Sequence, residues 1–225
     1  MVREILVADD HPLFREALRL ALGRAVPGAT VVEADTVTAL LDAADRHPEA
    51  DLLLLDLNMP GAQGFSALVQ MRAHYPLLPV VIISANEDPT VIRRSIAHGA
   101  AGFVPKSSTV EEMVEALQTV LDGDVWVPES VDVDGPALEG AEADIASRLA
   151  SLTPQQFRVL TMLSAGLLNK QIAYELGVSE ATVKAHMTAI MQKLGATNRT
   201  QAVVLAQGLG LDQASRGTQP EASSG

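Results

Sequence analysis

Five positions in the first half of this 225-residue chain carry side chains suited to moving a phosphoryl group: Asp9, Asp10, Asp56, Ser84 and Lys106. Three carboxylates gathered at one edge repel one another unless a hard, oxygen-preferring divalent cation neutralises them, which makes Mg²⁺ the natural candidate. An ionised Asp can attack phosphorus, while the cation, Lys106 and Ser84 would stabilise the charge on the transferring oxygens. Taken singly, each Asp could merely end a strand or cap a helix. Four strand ends that each supply a complementary group are harder to ascribe to caps.

The elements that must position these groups are legible in the hydrophobic pattern. Residues 4–9, 30–34, 51–56, 80–84 and 102–104 read as strands. Between them Phe14, Ala17, Leu18 and Ala21 share one helical face, as do Val37, Leu40, Leu41 and Ala44, and Ser108 with Glu111 reads as a capping box opening a helix to about Leu121. Leu52 to Leu55 and Val80 to Ile83 do not alternate, so those strands should be buried on both faces of a parallel sheet. The rhythm predicts an α/β fold, a doubly wound (βα)5 domain. Ligands of such sheets sit at the carboxyl ends of the strands, where Asp9-Asp10, Asp56, Ser84 and Lys106 fall.

These residues, with Asp56-Leu57-Asn58-Met59-Pro60-Gly61 and Gly102-Phe103-Val104-Pro105-Lys106, resemble the receiver domain of bacterial response regulators over residues 3–121. The resemblance implies that Asp56 is the phosphoacceptor and that Asp10, Asp56 and the Asn58 backbone carbonyl bind Mg²⁺, with Asp9 acting through water. It further implies that Lys106 pairs with the phosphoryl group, that Ser84 is its switch partner, and that Phe103 turns inward with it. The helices at 89–98 and 108–121, with the strand between them, would be the remodelled surface.

A second set of motifs follows. Thr153-Pro154-Gln155-Gln156 is a capping box with Pro at the first helical position, and Gly166, Gly177 and Gly195 sit where helices would end, so four short helices fit residues 154–208. Residues 169–176 and 179–194, joined through Gly177-Val178, form a helix-turn-helix pattern with Ser179 as N-cap. Ile172, Ala173, Leu176, Val178, Val183 and Ile190 would be core, leaving Thr182, Lys184, Ala185, Thr188 and Gln192 toward solvent or a groove. Short side chains such as Ala185 and Thr188 let a helix approach base edges, and Lys170, Lys193 and Arg199 suit phosphate contacts. A small helical bundle could also present lysines merely for solubility.

Leu152-Thr153-Pro154, residues 166–173, residues 179–186 and Lys193-Leu194-Gly195 are similar to LuxR-type DNA-binding domains over residues 148–212. That similarity places a DNA-contacting surface on residues 169–188, with Asn169, Lys170 and Thr182 in the motif and Lys184, Ala185 and Thr188 toward bases. It gives the helix at about 200–208 the pairing of two copies. Gln155-Gln156 departs from the Arg-Glu pair common there. Both halves together resemble a NarL/FixJ-type response regulator. The expected function is a two-component transcription factor in which a sensor histidine kinase phosphorylates Asp56 and so switches homodimerisation and binding to double-stranded promoter DNA, with RNA polymerase a further partner and no metabolite turned over.

Composition agrees. No cysteine is present, which removes disulfides and thiol chemistry. No apolar run reaches the ~18 residues that span a bilayer, so a cytoplasmic protein with no membrane partner is expected. The net charge of −12 conceals an asymmetry, with −7 on residues 1–121, −7 on 122–150 and +2 on 151–225. Only the last third favours an anionic partner, and the acidic part could cover or repel DNA from the reading helix. Residues 122–147 read as an acidic linker, with 144–151 a possible helical lead-in, and 213–225 as a disordered tail. A flavodoxin-like enzyme is disfavoured because Asp9-Asp10-His11-Pro12 would repel a flavin phosphate, and a dehalogenase-like one because Asn58 stands where its acid belongs. The remaining rival is a regulator independent of phosphorylation, controlled by protein or ligand contacts.

Overall fold

Unbroken runs of branched apolar residues need cover on both sides, and the chain provides it. The structure is a computed structural model and describes residues 3–61, 64–132 and 140–207. Five strands, β1 (Glu4–Ala8), β2 (Thr30–Ala34), β3 (Leu52–Asp56), β4 (Val80–Ser84) and β5 (Gly102–Pro105), form one parallel sheet in the order β2-β1-β3-β4-β5. Leu52, Leu54, Val81 and Ile83 face one side with Leu18 and Leu22 of α1 (Pro12–Ala25) and Met113 and Leu117 of α5 (Val110–Leu121). Leu53, Leu55, Val80 and Ile82 face the other with α2 (Val37–Arg46), α3 (Ser66–His74) and α4 (Pro89–Ala97).

The α5 capping box is shifted by one residue from the sequence reading. Thr109 accepts from the Glu112 amide and Glu112 accepts from the Thr109 amide, so Thr109 rather than Ser108 is the N-cap. Both Ser and Thr are favoured N-caps, and the register of the turn decides between them here.

The segment read as an acidic linker is only partly irregular. After α5 the chain turns back along β5, where Phe103 N donates to Trp126 O at 3.0 Å and Trp126 N to Ala101 O at 3.2 Å. From Gly140 to Ala150 it forms α6, which begins four residues before the expected lead-in. Its position in space explains why. Arg148 donates to Leu194 O at the end of the reading helix at 3.0 Å, while the Gln70 side chain of α3 donates to Leu149 O. The tail at 213–225 lies outside the described residues.

Four more helices follow among the described residues: α7 (Pro154–Ser164), α8 (Asn169–Glu175), α9 (Glu180–Leu194) and α10 (Arg199–Gln207). The capping box of α7 forms as expected, Thr153 and Gln156 exchanging hydrogen bonds. At the end of α9, Gly195 adopts φ 68°, a left-handed conformation that favours glycine, and a Cβ there would stand 2.6 Å from the Arg148 guanidinium, which would have to shift.

The two halves share one apolar cluster on the α2–α3 side of the sheet, which runs on to Phe157, Leu160 and Ile190. Nearly all of α3 is covered in consequence, including Gln70 at 0% exposure. Polar ties frame the contact. His74 Nε2 lies 2.7 Å from Leu152 O, Arg158 donates to Asp42 at 2.8 Å and Asp45 at 2.7 Å, and Glu142 accepts from Arg94 and pairs with His98, each at 2.8 Å.

Candidate functional site

Strand register sets the level of the acidic groups. Ala8 pairs with Leu55, so the next residues along, Asp9 and Asp56, emerge side by side at the carboxyl edge, both almost fully buried. Lys106 follows β5 and reaches back: its Nζ is 2.7 Å from Asp9 Oδ2 and 2.8 Å from Asp56 Oδ2. Burial would lower the lysine pKa, yet hydrogen bonds and attraction from Asp56 and Asp9 win and hold it above its ordinary value. The ammonium is therefore a fixed positive charge. Asn58 N donates to Asp56 Oδ1 at 3.0 Å, closing a turn that fixes the acceptor carboxylate.

Asp10 is more open, and His11 Nδ1 lies 2.8 Å from its Oδ1, 3.2 Å from Asp9 Oδ1 and 3.7 Å from Asp56 Oδ2. His11 was not among the residues expected from sequence to act here, although its position directly after Asp9-Asp10 at a strand end was the available signal. Ser84 is fully buried at the end of β4, where its Oγ accepts from Asn86 N at 3.1 Å and its carbonyl accepts from Lys106 N at 2.7 Å. Phe103 is fully buried in the cluster on the α2–α4 side.

The oxygen donors suit a hard cation. Asp9, Asp10 and Asp56 present carboxylate oxygens that, with the His11 nitrogen, all lie within 4.8 Å of one another. The Lys106 ammonium already balances two of these carboxylates. Such convergence is what Mg²⁺ would satisfy.

In the second half Ser179 caps α9, accepting from Thr182 N at 3.1 Å, and Val183 and Ile190 are buried. Lys184, Ala185, Thr188 and Gln192 are exposed together with Lys170, while Thr182 and Asn169 are half-buried. Two expected phosphate contacts are otherwise engaged. Lys193 donates to Ser151 O at 2.7 Å and Gln156 Oε1 at 2.8 Å, and Arg199 donates to Leu167 O at 2.6 Å. Both side chains thereby tie α9 and α10 to the other helices while staying half-exposed. Gln156 thereby keeps a hydrogen bond where a Glu would form an ion pair. The receiver packs on α6 and α7, and Lys184, Ala185, Thr188 and Gln192 of α9 are exposed.

The end of α4 also reaches α6, where Arg94 and His98 meet Glu142. Burial pushes the His98 imidazole below its ordinary 6.5, aided by Arg94 and opposed by Glu142. The folded chain thus favours the neutral ring. Its contribution is complete above about pH 6.5 and is lost as pH falls through the lowered value. We expect thermal stability measured from about pH 7.5 down to 5.5 to fall, and His98→Gln to flatten that slope. An unchanged slope in the variant would remove His98 from the account.

Residues 5–118 match the family model of the response regulator receiver domain, and residues 150–206 match that of the bacterial regulatory proteins of the luxR family. The chain belongs to the response regulators with a receiver followed by a LuxR-type helix-turn-helix. It is 41% identical to the glycerol metabolism activator of Pseudomonas putida, over 90% of this chain and 94% of that protein. It is 34% identical to the nitrate/nitrite response regulator protein NarP of Escherichia coli strain K12, over 90% and 93%. A solved structure of RcsB from Salmonella enterica serovar Typhimurium, bound to a promoter in the presence of a phosphomimetic, is similar with a TM-score of 0.53 and 25% identity, over 91% and 98%. The protein is a two-component response regulator that regulates transcription, a regulator and not a metabolic enzyme. No helix among the described residues is long and apolar enough to cross a membrane.

Proposed function

We propose that Asp56 is the phosphoacceptor, that a sensor histidine kinase is the donor, and that phosphorylation switches homodimerisation and promoter binding of a cytoplasmic protein. The observation that carries this is the Lys106 ammonium held between Asp9 and Asp56 at the carboxyl edge of the sheet. An ionised Asp56 oxygen forms the new bond to phosphorus as the bond to the donor breaks, and Lys106 is placed to pair with the phosphoryl oxygens. Asp10, Asp56 and the Asn58 carbonyl would hold Mg²⁺, with Asp9 through water. The cation would supply charge neutralisation for the transferring group.

Ser84, one residue beyond the level of Asp56 on the neighbouring strand, is the hydroxyl that would answer the phosphoryl group. Phe103, inward and buried on the next strand, would be held by that state. Lys184, Ala185 and Thr188 form the base-facing surface, with Asn169, Lys170 and Thr182 beside it. Val204, 57% exposed on α10, supports pairing of two copies through that helix. RNA polymerase would be met by the DNA-bound dimer. Residues 3–121 and 148–212 serve as the two functional units.

The test is incubation with Mg²⁺ and a small phosphodonor, followed by intact mass and oligomeric state. A single phosphoryl adduct, absent in Asp56→Asn and accompanied by dimerisation, is expected. No adduct with any donor would favour a regulator that works without phosphorylation.

A further inference from the structure

We propose that Phe14 is a positioning residue for phosphoryl transfer, its ring face holding the Lys106 ammonium beside Asp56. The inference rests on the reading of Asp56 as the phosphoacceptor and gives a role to an aromatic side chain that the phosphoryl chemistry leaves unused.

The Lys106 Nζ lies over the Phe14 ring, 4.9 Å from its centroid. An aromatic face is the negative part of a quadrupole and attracts an ammonium within about 6 Å. The polar groups around the same nitrogen are Asp9 Oδ2 at 2.7 Å, Asp56 Oδ2 at 2.8 Å and His11 Nδ1 at 3.3 Å. An ammonium has only N–H donors to share among them. The ring attracts its charge without bringing a negative charge of its own. It therefore holds the nitrogen in place and leaves the donors free to pass from the Asp56 oxygen to the phosphoryl oxygens. A carboxylate in the place of the ring would compete with those oxygens.

The ring is also anchored. Phe14 lies in the first turn of α1, where its amide donates to His11 O at 3.1 Å, and the neighbouring Arg15 side chain donates to Asp9 O at 2.7 Å. Those bonds pin the turn to the strand end that carries Asp9. The half-buried ring packs against the apolar cluster that joins Leu18 and Leu22 to Met113 and Leu117 of α5, the helix that follows Lys106. Aromatic ring and ammonium are thus carried by elements packed on one another, and the ring is in place before a phosphoryl group arrives.

The test replaces Phe14 in the full chain by Leu, by Tyr, and by phenylalanines with one, two or three ring fluorines, which drain charge from the face at nearly constant size. Phosphorylation by acetyl phosphate with Mg²⁺ is followed by intact mass, beside thermal unfolding. We expect the maximal rate to fall about three- to tenfold in Phe14→Leu and stepwise with each fluorine, and Phe14→Tyr to keep the rate of the parent. A rate that stays level across the fluorine series overturns the role of Phe14, whatever Phe14→Leu does to folding. A parent chain that takes no phosphoryl group, or an adduct that survives Asp56→Asn, overturns the reading of Asp56 and the inference with it.

Discussion

A Lys106→Met chain is expected to unfold at a lower temperature than its parent and to recover much of the loss when Mg²⁺ is added. In the parent, one ammonium lies within 2.8 Å of two carboxylates that are each 1% exposed. Its removal leaves two buried negative charges side by side. Breaking a fully buried pair costs about 3–5 kcal/mol. Because Lys106 keeps 15% exposure and Asp10 opens the pocket to water, about 2–3 kcal/mol is a better figure here. That corresponds to a fall in Tm of roughly 5–10 °C.

The same substitution removes the charge that competes for the centre of the cluster, so Mg²⁺ should bind the variant more tightly. At a concentration about a hundredfold above its Kd, a ligand stabilises by about 2.7 kcal/mol, enough to offset the loss. Phosphoryl transfer should nevertheless fall by about 10²- to 10³-fold, since the donor aimed at the transferring oxygens is gone. Calorimetric scans with and without Mg²⁺, beside phosphorylation rates, check both parts. A variant as stable as the parent without Mg²⁺ would show that the lysine does not neutralise the site.

An Arg158→Glu chain is expected to lose the docking of its two halves. Arg158 on α7 is 12% exposed and binds Asp42 and Asp45 of α2 at once. Burial would raise the Asp45 carboxyl, but Tyr75 and Arg158 hold it below its ordinary value. Both aspartates are about half exposed, so each pair alone is worth little. Reversal of the shared charge is different, because it turns two attractions into two repulsions and presses a carboxylate against α2. A cost on the order of 3 kcal/mol shifts the docked-to-open ratio by roughly a hundredfold.

Small-angle scattering should report a larger radius of gyration for Arg158→Glu, and a protease should cut between the halves faster. Arg158→Leu, which removes the attraction without adding repulsion, should lie between the two. An unchanged radius in Arg158→Glu would mean that the shared apolar cluster alone holds the halves together.

Sequence reveals the acidic edge well because strand ends carry its chemistry. Asp9, Asp56, Ser84 and Lys106 each close or follow an apolar run, and a parallel sheet has only one edge where such ends can meet. The unbroken leucines of β3 likewise announce cover on both faces. Features that depend on partners distant in sequence are not legible in the same way. Nothing near Arg158 points to Asp42, 116 residues earlier, and nothing in the acidic stretch before Asp144 shows that α3 will bury its helix. Lys193 and Arg199 look like free cations until the carbonyls of Ser151 and Leu167 are brought beside them. The exchange of Ser108 for Thr109 is subtler still, since two adjacent hydroxyls satisfy the same pattern.

The return of the chain along β5 has an optical consequence. Trp126 is the sole tryptophan of the protein, and its carbonyl and amide bracket the strand that carries Phe103. An indole half in water and half against the sheet emits at a wavelength set by that balance. The chain therefore carries a built-in fluorophore beside β5, and if the proposed phosphorylation of Asp56 disturbs that strand, the emission of Trp126 would report it with no label attached.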